Sequence, residues 1–219
     1  SMACRHDRRT ATSPVPMLFG ARGRADLRLK FASYNIHKAV GTDRRRDPDR
    51  IITVLREIDA DVIALQEADR RIGDRASVLE RAALDDTPWK PVEVARRPRS
   101  LGWHGNAILV RRNIGVVDAE PLALPMLEPR GAARADLDCD GVRIRVVGMH
   151  LDLSGLRRSD QIRAVLSHVD GCEAECPTVL MGDLNEWALH GGCFREFAGD
   201  WRVLSPGRSF PSRRPVAQL

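Results

Sequence analysis

Asn35, Glu67, His150 and Asp183 each close a short apolar run: Phe31-Ala-Ser-Tyr-Asn35, Val62-Ile-Ala-Leu-Gln-Glu67, Val146-Val-Gly-Met-His150 and Thr178-Val-Leu-Met-Gly-Asp183. Each run reads as a buried strand that delivers a functional group at its C-terminal end. In layered α/β folds that rim is where a rigid scaffold hands side chains to the loops. An amide, two carboxylates and an imidazole on one rim can hold a divalent cation, take a proton from water and stabilise charge on a phosphoryl oxygen. In Gly182-Asp-Leu-Asn185 a second amide, Asn185, sits two residues beyond Asp183 on the same tight loop, suited to orienting water or a phosphoryl group.

Each residue alone has a plainer reading. Asp183 with Asn185 fits an Asx-type turn that ends a strand. Glu67 needs compensation at the end of so apolar a strand, from a cation or from an arginine such as Arg70 or Arg71. His150 and Asn35 suit buried structural roles equally well. The shared position of all four at strand ends is what points to chemistry.

The elements that must position them follow from periodicity. After the Phe31 strand, Asp47 and Pro48 mark a helix start, and Ile51, Ile52, Val54, Leu55 and Ile58 fill one helical face. Asp59-Ala-Asp61 then leads into the Val62 strand. This strand–helix–strand unit places its two strands parallel, with Asn35 and Glu67 at the same end. Further on, residues 76–84 read as a helix, and 90–94 and 106–110 as strands. Residues 132–138 and 142–149 are strands around a Cys139-Asp140-Gly141 hairpin turn. Residues 159–169 form an amphipathic helix, and 178–181 a strand. Residues 1–28 read as a flexible lead-in, with Ser1-Met2 as the remnant of an expression tag, and 29–219 as one domain.

Composition sets the outer bounds. A chain of 219 residues supports one good-sized core, and no apolar stretch approaches the roughly 20 residues of a membrane-spanning helix. The net charge of +5 comes almost wholly from arginine, since the only lysines are Lys30, Lys38 and Lys90. An arginine-rich surface favours phosphate-bearing ligands. With aromatic residues at 5%, no stripe of basic and aromatic side chains appears in chain order. The odd cysteine count, at positions 4, 139, 172, 176 and 193, reads as free thiols in a reducing compartment, which predicts a cytoplasmic protein. His168, Cys172 and Cys176 have helical spacing, but a zinc site there lacks a clear fourth ligand and runs into Pro177.

Taken in order, Ser33-Tyr-Asn-Ile-His37, Leu65-Gln-Glu67, Gly105-Asn-Ala-Ile108, Met149-His-Leu151 and Gly182-Asp-Leu-Asn185 resemble the endonuclease/exonuclease/phosphatase (DNase I-like, exonuclease III-like) superfamily. The resemblance covers Phe31 to the C-terminus. It implies a four-layer α/β sandwich with two mixed β-sheets flanked by helices, and Mg²⁺-dependent hydrolysis of phosphate esters, with Mn²⁺ as the alternative ion. On it, Glu67 is the principal metal ligand with Asn35 close by, Asp183 prepares the attacking water, Asn185 orients it, and His150 contacts the phosphate or leaving group. Asn106 and Arg134 are candidates for binding substrate or supporting the site from behind. Arg158 with Gln161, Asp152, His37 and Lys38 are weaker candidates.

One departure stands out. The superfamily's terminal Asp-His pair has no counterpart after Ser209-Phe-Pro-Ser-Arg-Arg-Pro-Val-Ala-Gln-Leu219, so the resemblance implies a missing last strand and reduced activity. The expected function is a Mg²⁺-dependent phosphodiesterase with a phosphoester substrate, DNA or RNA among the options, and no obligate protein partner. A lipid-headgroup or small-molecule phosphoesterase and a non-catalytic phosphate-binding module are the alternatives.

Overall fold

The first strand–helix–strand unit sets the frame. In the computed structural model, which describes residues 15–19, 27–70, 73–125, 130–187, 191–197 and 201–204, strand β2 spans Leu27–Asn35, helix α1 Pro48–Ile58 and strand β3 Val62–Gln66. Asp47 caps α1, its Oδ1 accepting the Arg50 backbone N–H at 3.0 Å, and Pro48 fills a first-turn position that needs no N–H donor. The helix ends at Asp59, whose left-handed backbone turns the chain into β3. Strands β2 and β3 are parallel, with Asn35 opposite Gln66, as the crossover connection requires.

Two sheets result. The first has the order β1-β2-β3-β5-β4, with β1 at Val15–Phe19, β4 at Trp89–Pro91 and β5 at Ala107–Arg111. The second has the order β6-β7-β8-β9, with β6 at Gly115–Leu122, β7 at Gly131–Cys139, β8 at Val142–His150 and β9 at Thr178–Asp183. Both are mixed: β2 with β3 and β8 with β9 are parallel, and the remaining pairs are antiparallel.

Alternation along the strands gives the layers. Val62 and Ala64 of β3 face Ala133, Ala135, Val146 and Met181 of the second sheet, while Ile63 and Leu65 pack under α1. On the far side, Val147 and Met149 of β8 meet Ile162, Val165 and Val169 of α3, which spans Gly155–Asp170. The strands are therefore buried on both faces and read as continuous apolar runs. The sheets approach closely at Gly148, where an added Cβ would lie 3.2 Å from Ala64 Cβ.

The structure departs from the sequence expectation in four places. Val15–Phe19, assigned to a flexible lead-in, is an edge strand paired antiparallel with β2, whose backbone supplies the partner that composition does not reveal. The helix expected over 76–84 shrinks to α2, Arg81–Asp85, because Val78 N–H bonds Ala68 O and Asp69 bridges Ser77, tying that stretch to the chain leaving β3. The helix expected from 159 starts earlier, at Gly155. Strand β6 has no clear sequence signature because it is an edge strand with exposed Val116 and Val117, a bulge and Pro121. The segment Ser209–Leu219, after which the resemblance implies a missing last strand, lies outside the described residues. Among the described residues no helix is long and apolar enough to cross a membrane.

Candidate active site

Alternation also explains where the polar strand ends point. Asn35 continues the inward-facing series of Phe31, His150 that of Ile144 and Val146, and Asp183 that of Val179 and Met181. Three strands from both sheets thus bring polar side chains to one edge of the inter-sheet layer. Asn35 Nδ2 donates to Asp183 Oδ2 at 2.8 Å, joining the sheets. His150 sits opposite Asp183 in the parallel register, with Nε2 3.5 Å from Asp183 Oδ2. The Asp183 Oδ1 accepts the Asn185 backbone N–H at 3.0 Å, so the Asx turn and the functional placement coexist: the turn aims the carboxylate. Gly182, at φ 153°, makes room for it, because an added Cβ would lie 1.9 Å from Met149 O.

Glu67 arrives differently. Parity would send it with Ile63 and Leu65 toward the helix layer, but its backbone is left-handed, φ 55°, and the alternation breaks there. The carboxylate then meets the Lys38 ammonium in a close ion pair rather than Arg70. Burial pushes the Glu67 carboxyl up, but the Lys38 contact, with weaker pulls from His150 and His37, outweighs it and holds the group below its ordinary range. Lys38 itself rides on a turn in which His37, Lys38 and Ala39 have φ of 51°, 57° and 59°. Left-handed backbone costs a non-glycine residue about 1–2 kcal/mol, and strain of this kind gathers where a side chain must be aimed.

Arg130 completes the group. Its Nη1 lies 2.6 Å from His150 Nε2 and donates to Leu151 O at 2.7 Å. A guanidinium can only donate, so Nε2 accepts and the ring proton resides on Nδ1. Burial first, and Arg130 after it, lower the His150 pKa against the opposing pull of Asp183 and Glu67, which keeps the imidazole neutral. Arg130 was not singled out from the sequence; its one signal is that it precedes Gly131, the register partner of His150.

Residues 32–214 match the Endonuclease/Exonuclease/phosphatase family. The chain belongs to that family. Its fold is shared with an endonuclease/exonuclease/phosphatase from Bacteroides vulgatus (17% identity, 77% of this chain and 70% of that one, TM-score 0.60). It is also shared with a Bacteroides thetaiotaomicron mannosyl-6-phosphatase (18% identity, 78% and 70%, TM-score 0.57). A third likeness is D. rerio TDP2 solved with a single-strand DNA product (18% identity, 72% and 60%, TM-score 0.55), of whose length the chain therefore spans less than two thirds. No curated protein matches the sequence. The architecture is that of the family's phosphoesterases and nucleases.

Around this candidate site the remaining residues fall into two groups. Asn106 is fully buried and donates to Gly131 O at 2.9 Å and Trp103 O at 3.2 Å, fixing the β7 start that faces His150. Asn185 donates Nδ2 to Leu151 O at 2.9 Å and braces the exits of β8 and β9. Arg134 is not at the site. It lies on the opposite face of β7, held by Asp118, by Glu120 at 2.8 Å and by Asp136 at 2.8 Å. Arg158 and Gln161 brace loops: Arg158 donates to Leu153 O at 2.6 Å and Gln161 to Pro125 O at 3.0 Å, while Asp152 caps a turn at Ser154 N. His168 faces Glu120 at 3.1 Å, and the described residues contain no cluster of three or more His, Cys, Asp or Glu able to cage a metal.

Two features were invisible in chain order. Asp69, buried just beyond Glu67, accepts Ser100 Oγ at 2.5 Å and Gly105 N–H at 3.3 Å, and Ala68 N–H bonds Gly105 O at 2.9 Å, locking the loop behind Glu67. The segments after β3 and β4 together carry a basic and aromatic patch. Arg96 stacks 5.3 Å over Trp103, Trp103 meets His104 edge-on, and Arg75 lies 2.9 Å from His104 Nδ1.

Proposed function

We propose that the chain is a divalent-cation-dependent phosphodiesterase that cleaves phosphate esters by in-line attack of water. The observation that carries this reading is the convergence of Asn35, Asp183 and His150 from three strands of two sheets, with Glu67 turned toward them. The donor set suits Mg²⁺, with Mn²⁺ as alternative: one anionic carboxylate, Glu67, already balanced by a cation, and the Asn35 amide nearby. Such an ion keeps most of its waters and needs only one or two protein carboxylates, so a closed cage of ligands is not required. When bound, it would polarise a phosphoryl oxygen and offset charge in the transition state.

The protein's own groups supply the rest. Asp183 is buried and oriented by two donors, from Asn35 and Asn185, which leaves its remaining lone pairs to accept a proton from the attacking water. Arg130, oriented by its bond to the neutral His150, places a donor where phosphoryl charge grows, and Asn185 holds the two strand ends at fixed separation.

The patch at Arg75, Arg96, Trp103 and His104 favours a nucleic-acid strand as substrate, because guanidinium groups follow phosphates and aromatic faces stack bases. It adjoins Glu67 through Gly105. A panel of bis-p-nitrophenyl phosphate, abasic DNA, duplex DNA, phospholipid and inositol phosphate, with and without Mg²⁺, tests both levels. Metal-dependent turnover of DNA supports the full reading. Turnover of phospholipid or inositol phosphate alone removes the nucleic-acid reading, and no turnover of any substrate favours a non-catalytic binding module.

A further inference from the structure

We propose that Lys38 is a built-in counter-cation that holds the cation seat on Glu67 and exchanges with the divalent ion, so that metal affinity is set by competition with the protein's own side chain. The proposal rests on the reading of Glu67 as the metal-binding carboxylate.

Three observations carry it. First, the Lys38 ammonium contacts Glu67 Oε2 directly, the place where a hard cation would bind. One carboxylate oxygen cannot hold two cations at contact distance without strong mutual repulsion, so an ion seated on Oε2 must move the ammonium. Second, the placement is built. Three consecutive left-handed residues, His37 to Ala39, are pinned by Ala39 N–H to Ile36 O at 2.8 Å, Lys38 N–H to Glu67 O at 3.2 Å and Asp47 N–H to Ala39 O at 2.8 Å. The Lys38 backbone is thus bonded to the residue its side chain neutralises, which fixes the start of the stem and leaves the end to move. Third, the residue type fits exchange. In a chain that uses arginine for nearly all its positive charge, the position holds one of only three lysines. A lysine offers a compact, strongly hydrated point charge on a flexible stem, whereas a guanidinium would grip the carboxylate bidentately. The Lys38 side chain is 32% exposed, so water is available to receive the ammonium when it leaves.

A seat that is open for only about a tenth of the time binds its ligand about tenfold more weakly than an open one. The test uses the full chain without substrate, Mn²⁺ as probe and electron paramagnetic resonance to count free ion, on wild type, Lys38→Met, Lys38→Gln and Glu67→Gln. The expected result is Mn²⁺ affinity about tenfold higher in Lys38→Met, and lost in Glu67→Gln. The Lys38→Gln variant, checked for native circular dichroism, gives the same answer where methionine perturbs folding. Unchanged or weaker Mn²⁺ binding in both Lys38 variants, with Glu67→Gln still defective, overturns the counter-cation proposal alone. Wild-type affinity in Glu67→Gln overturns the underlying metal reading instead.

Discussion

Strand β8 carries buried polar groups on both faces, Arg145 on one and His150 on the other, and its two sides are built in opposite ways. On the outer face, Arg145 and Arg134 meet Asp136, Asp118 and Glu120 in an ion cluster within regular strands, with Asp136 accepting from Arg145 Nε at 2.8 Å and Arg134 Nη1 at 2.8 Å. Burial would raise the Asp136 pKa, but the two arginines hold it low. On the inner face, at the strand end, His150 joins Asp183, Asn35 and Glu67, and there the backbone leaves regular geometry. Lys38, Glu67 and Asn185 are left-handed, and Gly182 adopts a φ open to few other residues. Burial and pairing of charge therefore do not by themselves mark function in this molecule. Irregular backbone at a strand end, aiming groups that are paired across sheets, is what sets the proposed site apart.

That contrast can be broken by mutation. The largest expected effect is on the inner face: Asp183→Asn should lower the Mg²⁺-dependent rate on bis-p-nitrophenyl phosphate by about 10²–10⁴-fold, the range for loss of a positioned general base, in a protein that remains folded. On the outer face, Arg134→Met should leave Asp136 undercompensated and cost about 3 kcal/mol in urea unfolding, with the rate of the folded enzyme unchanged. Gly182→Ala falls between the two, because its Cβ would meet the Met149 carbonyl: a loss of about 1–3 kcal/mol in stability accompanied by a displaced Asp183 and a lower rate.

The smallest effect concerns pH. The Glu67 carboxyl titrates below its ordinary value when folded, so the charged form is favoured by folding. Its contribution is present above the unfolded carboxylate pKa and is lost as pH falls through the lower folded value. Unfolding free energy measured from pH 7 to pH 3 should therefore fall less steeply in Lys38→Met than in wild type. An identical slope would separate Lys38 from the state of Glu67.

Sequence patterns gave away the parts of this fold that are buried on both sides. The β2–α1–β3 unit, the Asp140-Gly141 hairpin and the C-terminal strands announced themselves through apolar runs, a capped helix face and turn residues. Two edge strands did not: β1 is defined by its pairing with the backbone of β2, and β6 carries exposed valines, a bulge and Pro121, whereas the edge strands β4 and β9 were legible. The four strand-end residues were legible as types and positions. The convergence of Asn35, His150 and Asp183 follows from period-two alternation, but Glu67 reaches the rim only through a backbone kink that no pattern encodes. Arg134 was a candidate for binding substrate or supporting the site, and its place in an ion cluster depends on Asp118 and Glu120 of β6, a strand the sequence did not show. Arg130 and the patch at Trp103 and His104 depend on loop packing, which periodicity cannot address.

The most direct test of the central claim is a Mg²⁺ titration of the hydrolysis rate of bis-p-nitrophenyl phosphate by wild type and Glu67→Gln, both confirmed as folded. A saturable, chelator-sensitive rate in wild type that falls at least about 100-fold in Glu67→Gln is the predicted result. A rate that is indifferent to Mg²⁺, or one that survives the loss of the Glu67 charge, would contradict it.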